Sequence, residues 1–140
     1  MIIVDTNVAS EPSKRLPDQR VAAWLERYRG PRLFTTTTVI AELSDGIGKL
    51  PEGRRRLELQ DALDLIIEVD YGGRILPFDL RAAQAYGLVR ELRRRQGRPI
   101  DKSDAQIAAV CLEYGATLAT RNMRDFDGFG LDLIDPWAES

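Results

Sequence analysis

The chain has 140 residues, of which 44% are hydrophobic and 30% charged, and a formal net charge of -2. That length and balance suit one soluble globular domain spanning 1–140; they exclude a disordered chain and argue against a general polyanion binder. The chain has no histidine and a single cysteine, Cys111. These counts exclude histidine-based acid–base or nucleophilic catalysis, histidine metal ligation, a disulfide framework and a cysteine zinc site.

Hydrolytic chemistry at neutral pH would therefore rest on carboxylates, most simply carboxylates holding a hard cation. No apolar run approaches the ~20 residues of a membrane helix. The amino terminus lacks a basic segment, and its apolar run stops at Asp5. This pattern leads us to expect a cytoplasmic protein with no membrane partner.

In chain order, Ile2-Ile3-Val4 reads as a strand buried on both faces, as in a parallel sheet. Asp5 then stands at its carboxyl end, where open α/β sheets bind ligands; the alternative is that it caps a turn. The stretch from Ser10 to Pro17 reads as loop. Asp18 caps a helix with Val21, Trp24, Leu25 and Tyr28 on one face, ended by Gly30-Pro31.

Leu33 to Thr38 reads as a second strand, grading into a helix at Val39-Ile40-Ala41-Glu42-Leu43 with a threonine as N-cap. Glu42 lies in the first turns, either as part of a site or as a complement to the helix dipole. A helix is expected from Arg54 to about Glu68, with Leu57, Ala62, Leu65, Ile66 and Val69 inward. Gly72-Gly73 breaks it, and Ile75-Leu76 forms a short strand stopped by Pro77.

Asp79 caps a long helix with Ala82, Ala85, Tyr86, Val89 and Leu92 on one face and most arginines elsewhere. The runs Arg54-Arg55-Arg56 and Arg93-Arg94-Arg95 read as solvated faces, with a local phosphate-contacting patch as the alternative.

Asp101-Lys102-Ser103-Asp104 opens a helix whose small and apolar residues cover most of its circumference, so it is expected to be central. Asp101 and Asp104 share a face; capping explains both, but two acids at a buried mouth repel unless a cation is near. A buried strand, Ala116–Ala119, follows Gly115. Thr120 to Asp127 again places acids past a strand end, and Leu131–Ile134 forms the last strand. The alternation indicates an α/β sandwich with a mainly parallel sheet.

Four segments thus put carboxylates at strand ends or helix starts: Asp5, Glu42, Asp101 with Asp104, and Asp125 with Asp127. Strand ends of a parallel sheet share an edge, so the four can converge. Mg2+ or Mn2+ resolves their repulsion and makes bound water a better nucleophile toward a phosphodiester.

The stretches Ile3-Val4-Asp5-Thr6-Asn7-Val8, Val39-Ile40-Ala41-Glu42-Leu43 and Gly73-Arg74-Ile75-Leu76-Pro77-Phe78-Asp79 carry a resemblance. It continues through Asp104-Ala105-Gln106-Ile107-Ala108-Ala109, Ala119-Thr120-Arg121-Asn122 with Asp125-Phe126, and Pro136-Trp137. In their order and spacing these motifs resemble the PIN-domain ribonucleases, specifically the VapC-type toxins of type II toxin–antitoxin systems in the FitB-like branch.

The resemblance implies a PIN-like three-layer α/β/α sandwich and a Mg2+/Mn2+-dependent RNA endonuclease. It further implies a VapB-type antitoxin partner and a homodimer. By position it makes Asp5, Glu42 and Asp104 the metal-binding acids. Asn122 stands where some relatives have an acid, which leaves the fourth catalytic position open between Asn122 as a neutral ligand, Asp125, directly or through water, and Asp127. Asp101 becomes a cap or outer residue. Thr6, Asn7, Thr120, Arg121 and Asn122 become supporting or substrate-contacting groups.

Other readings remain open at this level. With Asn122 in place of an acid, the chain is alternatively a catalytically weak PIN-like binding module. An aspartyl-nucleophile phosphatase built on Asp5 wants a second acid at position 7, which is Asn7. A phospho-receiver domain wants a lysine near the last strands, and the chain has only Lys14, Lys49 and Lys102.

Overall fold

The computed structural model describes residues 1–138. Five strands form one parallel sheet: β1 (Ile2–Val4), β2 (Leu33–Thr36), β3 (Ile75–Leu76), β4 (Thr117–Ala119) and β5 (Leu133–Ile134), in spatial order β3-β2-β1-β4-β5. Every pairing is parallel, with Ile3 opposite Phe34 on one side and Leu118 on the other. The expected α/β architecture with a parallel sheet is therefore present. Parallel strands need covered faces, and Ile2, Ile3, Val4, Leu118 and Ala119 are accordingly buried.

Chain order grows outward from β1 in one direction to β2 and β3, then reverses to β4 and β5. The reversal opens a crevice at the carboxyl ends of β1 and β4. Such switch points bind ligands because the connections leave the two strand ends in opposite directions.

Seven α-helices connect the strands among the described residues: α1 (Thr6–Ser10), α2 (Gln19–Tyr28), α3 (Thr37–Gly48), α4 (Arg54–Leu65), α5 (Leu80–Arg95), α6 (Lys102–Tyr114) and α7 (Met123–Phe126). Their starts follow from side-chain caps. Asp5, Asp18, Thr36, Asp79 and Asp101 each accept a hydrogen bond from a backbone N–H of the first turn. Gly115 ends α6 in the left-handed region, at φ 61°, which glycine adopts without a Cβ penalty. None of the helices is long and apolar enough to cross a membrane.

Several local expectations need correction. The stretch read as loop after Asn7 begins inside α1, and residues Glu11–Ser13 add a 3-10 turn. The cap on Asp5 and burial of Val8 and Ala9 stabilise that short helix. β2 stops at Thr36 rather than Thr38, because the Thr36 hydroxyl accepts from Val39 N at 3.2 Å and starts α3 early. β4 begins at Thr117 and β5 at Leu133, each later than expected.

In α4 and the turn after it the inward face is only partly as expected: Ile66 is buried, but Leu57, Leu65 and Val69 are exposed, and Leu63 is buried instead. A wider π-helical turn, Ile66–Asp70, follows α4 and rotates the face away from strict 3.6-residue periodicity. On α5, Leu92 is 39% exposed and Arg93 is buried in its stead. The stretch after Thr120 contains α7, a single turn.

The core runs along both sides of β1 and β4. Trp24 and Val21 of α2, Val39 of α3 and the buried row Ala105, Ile107, Ala108, Val110 and Cys111 of α6 all belong to it. The expectation that α6 is central is thus met, and Cys111 is a buried free thiol.

Candidate functional site

Asp5 follows β1 directly, and its backbone N–H donates to Ala119 O of β4 at 3.1 Å. This bond ties the two strand ends at the crevice. The carboxylate is 4% exposed and held from two directions. Oδ1 accepts from Val8 N at 3.1 Å, and Oδ2 accepts from the Thr120 hydroxyl at 2.5 Å. Asp5 therefore caps α1 while standing at the carboxyl end of β1. Burial raises its pKa; the bonds from Thr120 and Val8 oppose that, and the Glu42 charge adds to it.

Glu42 reaches the same edge from α3, accepting from the Thr6 hydroxyl at 2.7 Å. Two threonines thus orient two acids across contacts that join residues far apart in sequence. Thr120 also accepts from Asn122 N at 3.0 Å, so one hydroxyl fixes both Asp5 and the start of the segment that leads to Asp125.

Asp104 lies in the first turn of α6 and is half-buried. Burial is the largest influence on it, followed by the charges of Asp101, Asp125, Glu42 and Asp5; together they push its pKa up to about 6. Carboxylates from four separate segments therefore sense one another at this edge. Asp101 is exposed and caps α6 by accepting from Ser103 N at 3.1 Å, as a cap or outer residue should.

The remaining candidates divide. Asp125 is exposed on α7 and electrostatically coupled to Asp104. Asp127 is instead engaged by Arg98 at 2.8 Å. Asn122 precedes α7 without a side-chain capping bond. Arg121 lies over the Trp137 ring, 5.1 Å from its centroid, and no salt bridge between described residues includes it. Asn7 is exposed, and its backbone N–H adds to the bonds on Asp5.

The donor set can be tested against a divalent ion on its own chemistry. Every group is an oxygen donor, the acids converge, and no salt bridge between described residues neutralises Asp5, Glu42 or Asp104. Those features fit a hard cation. Among the described residues no three acids are close enough to grip one ion together. The fit is accordingly to an ion such as Mg2+, which takes one or two carboxylates directly and reaches others through retained water.

Arg93 is the group that sequence reasoning missed. It is 3% exposed, and its Nη2 donates to the backbone carbonyls of Asp125 and, at 3.1 Å, Asp127. A signal existed: Arg93 continues the stripe of Ala82, Tyr86 and Val89 at helical spacing, so a charge falls on a face that should be apolar. A separate cleft of about 650 Å³, lined by residues such as Ala9, Leu25, Val69 and Tyr71, includes none of the site acids.

The PIN domain family model matches residues 2–129. Among curated proteins, the chain is 38% identical to VapC ribonuclease Y4jK of Sinorhizobium fredii, covering 98% of each chain. It is 34% identical to Toxin FitB of Neisseria gonorrhoeae, over 98% of this chain and 99% of that one. The crystal structure of FitAcB from Neisseria gonorrhoeae superposes with a TM-score of 0.90 at 34% identity, covering 99% of both chains. A parallel sheet with an acid-lined switch point, together with these matches, defines the class: the chain belongs to the PIN domain family. Within it, the similarity is to proteins of the VapC and FitB kind.

Proposed function

We propose that the chain is an RNA endonuclease that depends on Mg2+ or Mn2+ and serves as the toxin of a type II toxin–antitoxin pair. The observation that carries this reading is the placing of Asp5, Glu42, Asp104 and Asp125 at the carboxyl edge, where burial first and then the acidic neighbours raise Asp104. The similarity to a VapC ribonuclease supplies the substrate class. Solved structures similar to this chain include FitAcB from Neisseria gonorrhoeae and VapBC2 from Rickettsia felis, the latter bound to a DNA fragment from their promoter; a VapB-type antitoxin is the partner we expect here, and a homodimer in the cytoplasm the working assembly.

When bound, the ion would activate water and offset negative charge on the phosphodiester. The chain's own contribution is positioning. Asp5 and Asp104 would hold the ion, with Glu42 beside them. Thr120 and the Val8 N–H fix the two oxygens of Asp5, and Thr6 fixes one oxygen of Glu42, so both acids are oriented without a basic side chain. Asp125 supplies a further acceptor, for water or for the ion's hydration shell.

Purified protein should cleave RNA with added Mg2+ or Mn2+, lose activity in EDTA and recover it on metal readdition. Asp5→Asn and Asp104→Asn should each lower the rate by at least about a hundredfold. Activity that persists in EDTA, or in both variants, would refute the proposal.

A further inference from the structure

The last turn of α5 buries a guanidinium with few charged partners. The Asp127 carboxylate lies 4.0 Å from Arg93 Nη2 and is itself held by Arg98. Arg93 instead donates to carbonyl oxygens: Nη1 to Arg98 at 3.4 Å, and Nη2 to Arg124 at 3.5 Å, to Asp125 and to Asp127 at 3.1 Å. Its plane rests over the Phe129 ring, 4.5 Å from the centroid.

Arg98 apart, these carbonyls belong to α7 and the residue just after it. A single helical turn is too short to hold itself, and α7 has no side-chain cap at its start. Its position therefore depends on outside contacts. The carbonyls at a helix end carry partial negative charge and suit a cation. A planar guanidinium spans several of them at once, whereas an ammonium offers a single compact charge.

We infer that Arg93 is a positioning residue that grips the carbonyls of Arg124, Asp125 and Asp127 and so sets Asp125 against Asp104, raising the site's affinity for a divalent cation. The inference rests on the metal-dependent reading above. It assigns Arg93 no contact with substrate. The buried arginine acts through the backbone that carries Asp125, as outer groups around metal ligands do.

The test measures Mn2+ binding by electron paramagnetic resonance, and amide hydrogen exchange over residues 122–128. It compares the wild type, Arg93→Lys, Phe129→Leu and, as a remote destabilised control, Leu63→Ala. Arg93→Lys should raise the Mn2+ dissociation constant about tenfold and speed exchange of 122–128 while α6 stays protected. Leu63→Ala should leave Mn2+ binding unchanged in its folded state.

A folded Arg93→Lys protein that binds Mn2+ as tightly as the wild type overturns the inference and leaves the proposed function standing. If Arg93→Lys does not fold, Phe129→Leu decides: it keeps the hydrogen bonds, removes the ring face and should weaken Mn2+ about twofold to threefold, and unchanged binding overturns the inference. A wild type that binds no Mn2+ removes the proposed function, and this inference with it.

Discussion

Asp104→Asn is expected to stabilise the metal-free protein while abolishing its activity. The Asp104 pKa rises from 3.8 to about 6. Its ionised form is thus disfavoured in the folded state relative to the unfolded one. Below 3.8 the carboxyl is neutral in both states and the cost vanishes. As pH climbs from 3.8 through about 6, the unfolded chain releases this proton first, so stability is lost over that window and stays lost above it. A rise of that size corresponds to about 3 kcal/mol. Asp104 is only half-buried, and solvent screening reduces this to about 1–2 kcal/mol.

Asparagine keeps the size and removes the charge, so at pH 7.5 in EDTA it should raise the melting temperature by about 3–6 °C for a chain of this length. The gain should shrink as pH falls toward 4. Added Mn2+ should reverse the order, because an ion that binds only the folded wild type stabilises it by mass action. Scanning fluorimetry at several pH values, with and without Mn2+, reads all of this. A variant no more stable than the wild type in EDTA at pH 7.5 would refute the electrostatic reasoning. So would a gain that does not change with pH.

Thr120→Val is nearly isosteric but leaves Asp5 Oδ2 and Asn122 N without their partner. Chemical denaturation should show a loss of about 1–3 kcal/mol, with Thr120→Ser restoring most of it; equal stability of the valine variant would contradict the assigned hydrogen bonds. On α4, Leu63→Ala should cost about 2–5 kcal/mol, whereas Leu57→Ala should change stability by less than about 0.5 kcal/mol. The same denaturation series tests which face is buried. Arg121→Ala should alter Trp137 fluorescence and cost about 0.5–1 kcal/mol, the scale of an exposed cation–π contact; an unchanged emission spectrum would place Arg121 elsewhere.

The chain's local physics was legible from its order of residues. β-branched runs marked the buried strands, and Asp18, Asp79 and Asp101 announced the helices they cap. Absence of histidine, with acids after strand ends, narrowed the chemistry to carboxylates. These features were readable because a cap, a turn or a strand face is decided within a few residues.

Tertiary packing decided the rest. Thr120 meets Asp5 across 115 positions and Thr6 meets Glu42 across 36, pairings that no local pattern encodes. Arg93 is buried because α7 and Phe129 happen to cover its end of α5, and Leu57 and Leu65 are exposed because nothing covers them. Periodicity tells which residues share a face. Which face is covered, and by what partner, is settled only when distant segments come together.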